Sequence, residues 1–112
     1  MNFTAEQEGQ VTIVSVSGSV DGLTAPALTS FLTKQLGEHR SNLVVNLHEV
    51  DYISSAGLRA LLGALKESRQ QGGDLRLAVV QENVRKVLNM SGFTSILKLY
   101  PDVPAAVGSF KA

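Results

Sequence analysis

Val50-Asp51-Tyr52-Ile53-Ser54-Ser55-Ala56-Gly57-Leu58-Arg59 lies between two stretches whose patterns are easy to read. Upstream, Leu43-Val44-Val45-Asn46-Leu47 is a short apolar run with the length of a buried strand. Downstream, Leu58, Leu61, Leu62 and Leu65 recur at the i, i+3, i+4, i+7 spacing of an amphipathic helix, predicted over 55–71. Ser54 and Ser55 fall where that helix begins, and a hydroxyl there can accept from an unpaired N–H of the first turn. Gly57 has no Cβ and allows that turn to approach its neighbours closely. Two hydroxyls therefore stand at the positive end of a helix dipole. They are open to two readings: helix caps, or sites for a phosphate, which backbone N–H groups at a helix N-terminus tolerate.

Around this centre the chain alternates strands with helices. A short edge strand is predicted over Asn2–Glu6, a turn at Glu8-Gly9-Gln10, and a valine-rich strand over Val11–Val20, with Gly18 as a bulge or close approach. A helix follows from Thr24, its N-cap, with Pro26 in the first turn. Ala25, Leu28, Leu32 and Leu36 form its inner stripe with Phe31 beside it, and Gly37 ends it. Beyond the central helix, Gly72-Gly73-Asp74 turns into a strand over Leu75–Val80. A helix over Glu82–Met90 comes next, terminated by Gly92, then a strand over Ile96–Tyr100. A last helix opens at Pro101-Asp102 and carries Val103, Val107 and Phe110 on one side.

This order predicts an α/β fold: a mixed, mostly parallel sheet of four to five strands with about four helices, in one domain spanning residues 1–112. The first two strands can pair as an antiparallel hairpin at one edge. Functional loops of such a sheet sit at the carboxyl ends of its strands. The loops after Val20 and after Leu47 both qualify, so Asp21 and Ser55 are expected on one surface.

Composition excludes several classes of function. The chain has 112 residues, 44% hydrophobic and 18% charged, enough to bury a core. Ten basic and ten acidic residues balance, leaving no excess for a nucleic-acid backbone. Cysteine is absent, which rules out disulfides and thiolate metal sites. The first residues do not read as a signal peptide, and no apolar run approaches the ~18 residues of a membrane span. A cytoplasmic location is expected.

Catalytic constellations are missing as well. His39 and His48 lack ligand-like spacing, so no metal site is expected, and there is neither a nucleophile elbow nor a P-loop. Ser95 and Lys98 match S-x-x-K, but on a strand the two side chains point to opposite faces. The expectation is a protein that acts by binding, without enzyme activity or cofactor.

Asp51-Tyr52-Ile53-Ser54-Ser55-Ala56-Gly57-Leu58-Arg59 resembles the signature of STAS domains, specifically bacterial anti-sigma-factor antagonists. The likeness extends to Gly18-Ser19-Val20-Asp21 with Thr24-Ala25, the strand Leu43–Leu47, Gly72-Gly73, Val84-x-x-Val87-Leu88 and Met90-Ser91-Gly92, in matching order. It implies that an anti-sigma factor with a serine kinase domain is the partner, that Ser55 is the phosphorylated residue, and that a serine phosphatase reverses the modification. Asp21, Ser54, Ser55, Ala56, Gly57 and Arg59 are the implied partner-binding residues. This chain departs from the family pattern at Ser54, where well-understood antagonists carry Asp, and at Arg59, where Gly is frequent. The alternative within the family is a STAS subunit of another assembly, a lipid-transport accessory or a stress-signalling scaffold, without phosphorylation.

Overall fold

A computed structural model of the chain describes residues 1–111; Ala112, the last residue of the expected domain, lies outside them. The element order is β1 (Asn2–Glu8), β2 (Val11–Ser17), α1 (Ala25–Gly37), β3 (Asn42–Glu49), α2 (Ser55–Gln70), β4 (Asp74–Ala78), α3 (Glu82–Met90), a 3₁₀ turn at Phe93–Ser95, β5 (Leu99–Tyr100) and α4 (Val103–Gly108). The five strands lie in the order in which they occur in the chain. β1 and β2 form the antiparallel hairpin, and every later neighbour pairs in parallel. The sheet is therefore mixed and mostly parallel, as the alternation of strands and helices predicts.

Strand alternation divides the core between the two faces. From β3, Leu43, Val45 and Leu47 enter the larger cluster with Leu28 and Leu32 of α1, Leu61 and Leu65 of α2, and Val84 and Leu88 of α3. Val44 points the other way, joining Ile13 and Ala78 under Ala106 and Val107 of α4. All of these side chains are buried. Asn46 of β3 is half-buried; its Oδ1 accepts from the N–H of His48 at 3.1 Å and its amide lies 3.4 Å from the Ser15 hydroxyl. Arg76 of β4 ties α4 to the sheet: it donates to Ser109 Oγ at 2.7 Å, pairs with Asp74 at 3.0 Å and lies 4.1 Å from the Phe110 ring centre.

Several boundaries differ from the sequence reading. β2 stops at Ser17 instead of Val20, because Gly18 takes φ +110° and redirects the chain. β5 is only Leu99–Tyr100; the apolar Ile96-Leu97 that suggested a longer strand follows the 3₁₀ turn and anchors it instead through buried Leu97. Thr24 is the N-cap residue of α1, yet its hydroxyl faces backward and caps nothing. Gly37 does not terminate α1 by a left-handed turn. His39 takes that role at φ 61°, with the N–H of Arg40 reaching back to the Gln35 carbonyl at 3.1 Å. α2 ends by the same device, with the glycine favoured there: Gly72 is at φ +88° and the Gly73 N–H reaches the Ser68 carbonyl at 2.8 Å.

Candidate functional site at the carboxyl ends of β2 and β3

Two loops meet at the carboxyl ends of β2 and β3. The Val20 N–H donates to the Tyr52 carbonyl at 2.9 Å, and the Ser54 N–H donates to the Val20 carbonyl at 2.7 Å. Val20 and Ile53 thus form one isolated parallel bridge beyond the ends of their strands. Both side chains are buried, which makes this bridge an anchor in the core and not only a surface contact. Asp21 continues from one side of the bridge and Ser54-Ser55 from the other, so the structure brings the expected residues onto one surface.

The loop after Val20 is held by its own side chains. Asp21 Oδ1 accepts from the N–H groups of Leu23 at 2.9 Å and Thr24 at 3.0 Å. The Thr24 hydroxyl accepts from the Asp21 N–H at 2.9 Å and donates to the Ser19 carbonyl at 2.8 Å. These are reciprocal Asx and Ser/Thr turns. The Thr24 and Leu23 N–H bonds favour the charged form and hold the Asp21 carboxyl below the usual aspartate range. A fixed negative charge therefore sits on the loop that is bonded to the segment leading into α2. At the apex of the same turn Leu23 is 92% exposed, a large apolar side chain held out into solvent by the bonds beneath it.

The start of α2 assigns its two serines different tasks. Ser54 is the N-cap: it is extended and half-buried, and its Oγ accepts from the Gly57 N–H at 3.3 Å. Ser55 is the first helical residue and is exposed. The cap thus uses one hydroxyl and leaves the other facing solvent at the positive end of the helix. Gly57, expected on the partner surface, is buried. A Cβ there would stand 2.5 Å from Val20 Cγ1 and 2.7 Å from Ile53 Cγ1, so Gly57 positions the surface without presenting itself. Ala56 is half-buried and Arg59 exposed. Both line a shallow groove of about 330 Å³ between α1 and α2, with Pro26 and Thr29 on its far wall.

A third loop braces the second. The Asn83 side-chain amide, in the first turn of α3, donates to the Asp51 carbonyl at 2.9 Å, and Gln81 donates to the His48 carbonyl at 2.6 Å. Asp51 Oδ1 lies 3.3 Å from the Ser19 hydroxyl. Leu23, Gln81 and Asn83 have no place in the sequence signature, and Tyr52 (51% exposed) stands in it without a role of its own. The Asp21-x-x-Thr24 spacing was a signal for the rigid turn that displays Leu23; the Gln81 and Asn83 braces depend on tertiary placement alone.

Among the described residues no helix is long and apolar enough to cross a membrane. Comparison with known proteins agrees with the fold and with the signature. A Bordetella bronchiseptica protein, BtrV, named as a candidate anti-sigma factor antagonist, is 35% identical over 99% of this chain and 96% of its own length. The crystal structure of an anti-sigma factor antagonist from Mycobacterium paratuberculosis superposes with a TM-score of 0.90 at 25% identity, covering 99% of this chain and 94% of that one. The Bacillus cell-fate determinant SpoIIAA in its phosphorylated form shares the fold, with a TM-score of 0.73 at 16% identity over 98% of this chain and all of the other. The family model for the STAS domain matches residues 2–106, and with the two-loop site formed where that family's signature lies, the chain belongs to the STAS domain family.

Proposed function

We propose that this chain is an anti-sigma-factor antagonist that works by binding and is switched by phosphorylation of Ser55. The observation that carries the reading is the division of labour at the start of α2: Ser54 is engaged as the cap, while Ser55 is exposed, and the loop leading to it is bonded to the one that carries the ionised Asp21. The names of similar proteins support the partner class, and the solved phosphorylated form of SpoIIAA supports a modification on this fold. The unphosphorylated surface formed by Asp21, Leu23, Ser54, Ser55, Ala56 and Arg59 engages an anti-sigma factor bearing a serine kinase domain, which frees the sigma factor.

That partner transfers the γ-phosphoryl group of ATP to Ser55 Oγ. ADP leaves, and the hydroxyl proton is lost to a base on the kinase. Roughly −1.5 to −2 charges then enter an interface already holding the Asp21 carboxylate. A few kcal/mol of repulsion and desolvation suffices to release the partner, since about 1.4 kcal/mol is tenfold in affinity. A serine phosphatase resets the cycle in the cytoplasm. The chain is the substrate of these enzymes and carries out no chemistry of its own.

Phosphosite mapping on protein from its native cells tests the proposal. The tryptic fragment Ser41–Arg59 carries both serines, and fragmentation distinguishes them. Phosphate on Ser55 under some growth or stress condition is the expected result. Its absence under every condition, together with co-purification of a transporter ATPase or a large homo-oligomer in place of a kinase, would identify an unswitched STAS subunit and overturn the proposal.

A further inference from the structure

Arg59 stands one turn beyond Ser55 on α2, and both are exposed. Residues four apart on a helix share a face, with Cβ atoms about 5–6 Å apart. The ion pairs among the described residues engage Arg40, Arg69, Arg76 and Lys86, and leave Arg59 without an anion. No carboxylate among the described residues lies within 4 Å of its guanidinium. α1 carries no acid, and the acid of α2, Glu67, lies more than two turns further along. Arg59 is also the one charged residue lining the α1–α2 groove. The two carboxylates of the adjoining loops have other partners: Asp21 Oδ1 is taken by the Leu23 and Thr24 N–H groups, and Asp51 Oδ1 faces the Ser19 hydroxyl.

We propose that Arg59 is the intramolecular receptor of the phosphate on Ser55, pairing its guanidinium fork with two phosphate oxygens along the first turn of α2; this rests on the phosphorylation proposed above. The chemistry favours arginine in that position. Its planar fork matches phosphate geometry in a two-point contact, which an ammonium group cannot reproduce. Phosphorylation then changes the surface twice over: it adds a dianion, and it withdraws a free cation from the partner. An acidic patch on the anti-sigma factor that reads Arg59 loses its contact in the same event.

The test uses the full-length chain with phosphoserine genetically encoded at position 55, alone and combined with R59Q or R59K. The phosphate is titrated by ³¹P NMR at low salt while the Arg59 side-chain N–H resonance is followed. The second ionisation is expected about 0.3 unit or more lower with Arg59 than with Gln. The Arg59 N–H should track that titration, and Lys should restore only part of the difference. Superimposable ³¹P curves for the arginine and glutamine forms, with an unperturbed Arg59 resonance, would overturn the inference. Because the phosphate is installed without a kinase, that result is separate from a failure to find phosphate on Ser55 in cells, which bears on the function proposed above.

Discussion

At the scale of single residues, adjacent serines on one helix end behave as different chemical objects. Ser54 accepts a first-turn N–H, so Ser54→Ala should cost about 1 kcal/mol of stability in denaturant unfolding. Ser55 points to solvent from the next position, so Ser55→Ala should unfold within about 0.5 kcal/mol of the parent. In a pull-down with the anti-sigma factor it should bind whether or not the kinase has been supplied with ATP. Equal stability losses for the two variants would contradict the assignment of the cap. Leu23 belongs to the same scale. Four hydrogen bonds hold the turn that displays Leu23, so its backbone loses little freedom on docking, which favours an interface anchor. Leu23→Asp should lower partner affinity at least tenfold by calorimetry while leaving the circular dichroism spectrum and the melting temperature unchanged.

At the scale of elements, the site depends on how close α2 comes to the Val20–Ile53 bridge. A methyl group at Gly57 collides with both bridge side chains, and valine has little rotamer freedom with which to yield. Gly57→Ala should therefore destabilise by about 1–3 kcal/mol and shift the amide resonances of Val20, Asp21 and Ser54 together in an NMR spectrum. The end of α1 offers a change of opposite sign. His39 sits in the left-handed region where glycine rests without strain, so His39→Gly should stabilise by about 0.5–1 kcal/mol in thermal unfolding.

These elements also show where sequence patterns were sufficient. Glu82–Met90 was legible to the residue because a polar start, an apolar stripe and a glycine stop agree with one another. The two-loop site was legible because a parallel sheet gathers its carboxyl-end loops. Val20 was misassigned to β2 because a buried bridge residue and a strand residue look alike in a string of valines; only its pairing with Ile53 separates them. Ile96-Leu97 misled for the same reason, since burial of Leu97 by a tight turn leaves the same apolar mark as burial by a strand.

At the scale of the whole molecule, a charged cluster at the start of β4 contributes to the response to acid. Burial opposes ionisation of Asp74, but bonds from the Arg76 and Arg69 guanidinium groups and the Leu75 N–H outweigh it, and its carboxyl lies below the usual aspartate range. Its folded-state value is thus lower than its unfolded value. The stability it contributes is complete above the ordinary aspartate range, near pH 4, and is lost as pH falls through the lowered value. Asp21 is lowered as well and adds to the same acid limb. Asp74→Asn should cost about 2 kcal/mol at neutral pH, and should flatten the decline in stability below about pH 4 measured by urea unfolding. An unchanged acid limb in that variant would place the titrating groups elsewhere.

The sheet's two outer strands differ in length, and this bears on self-association. With balanced charge, the molecule lacks the overall repulsion that keeps many proteins apart in concentrated solution, so any protection against strand-to-strand stacking has to be local. β5 meets this need by brevity: two residues offer almost no template for another chain. β1 presents seven, and its defence is composition. Glu6 and Glu8 lie on one face near its end and are exposed, so a second copy laid along that strand brings uncompensated carboxylates into a growing, desolvating contact. The hairpin that opens the chain thus acts as a guard against aggregation on the side of the molecule where the sheet is otherwise most inviting.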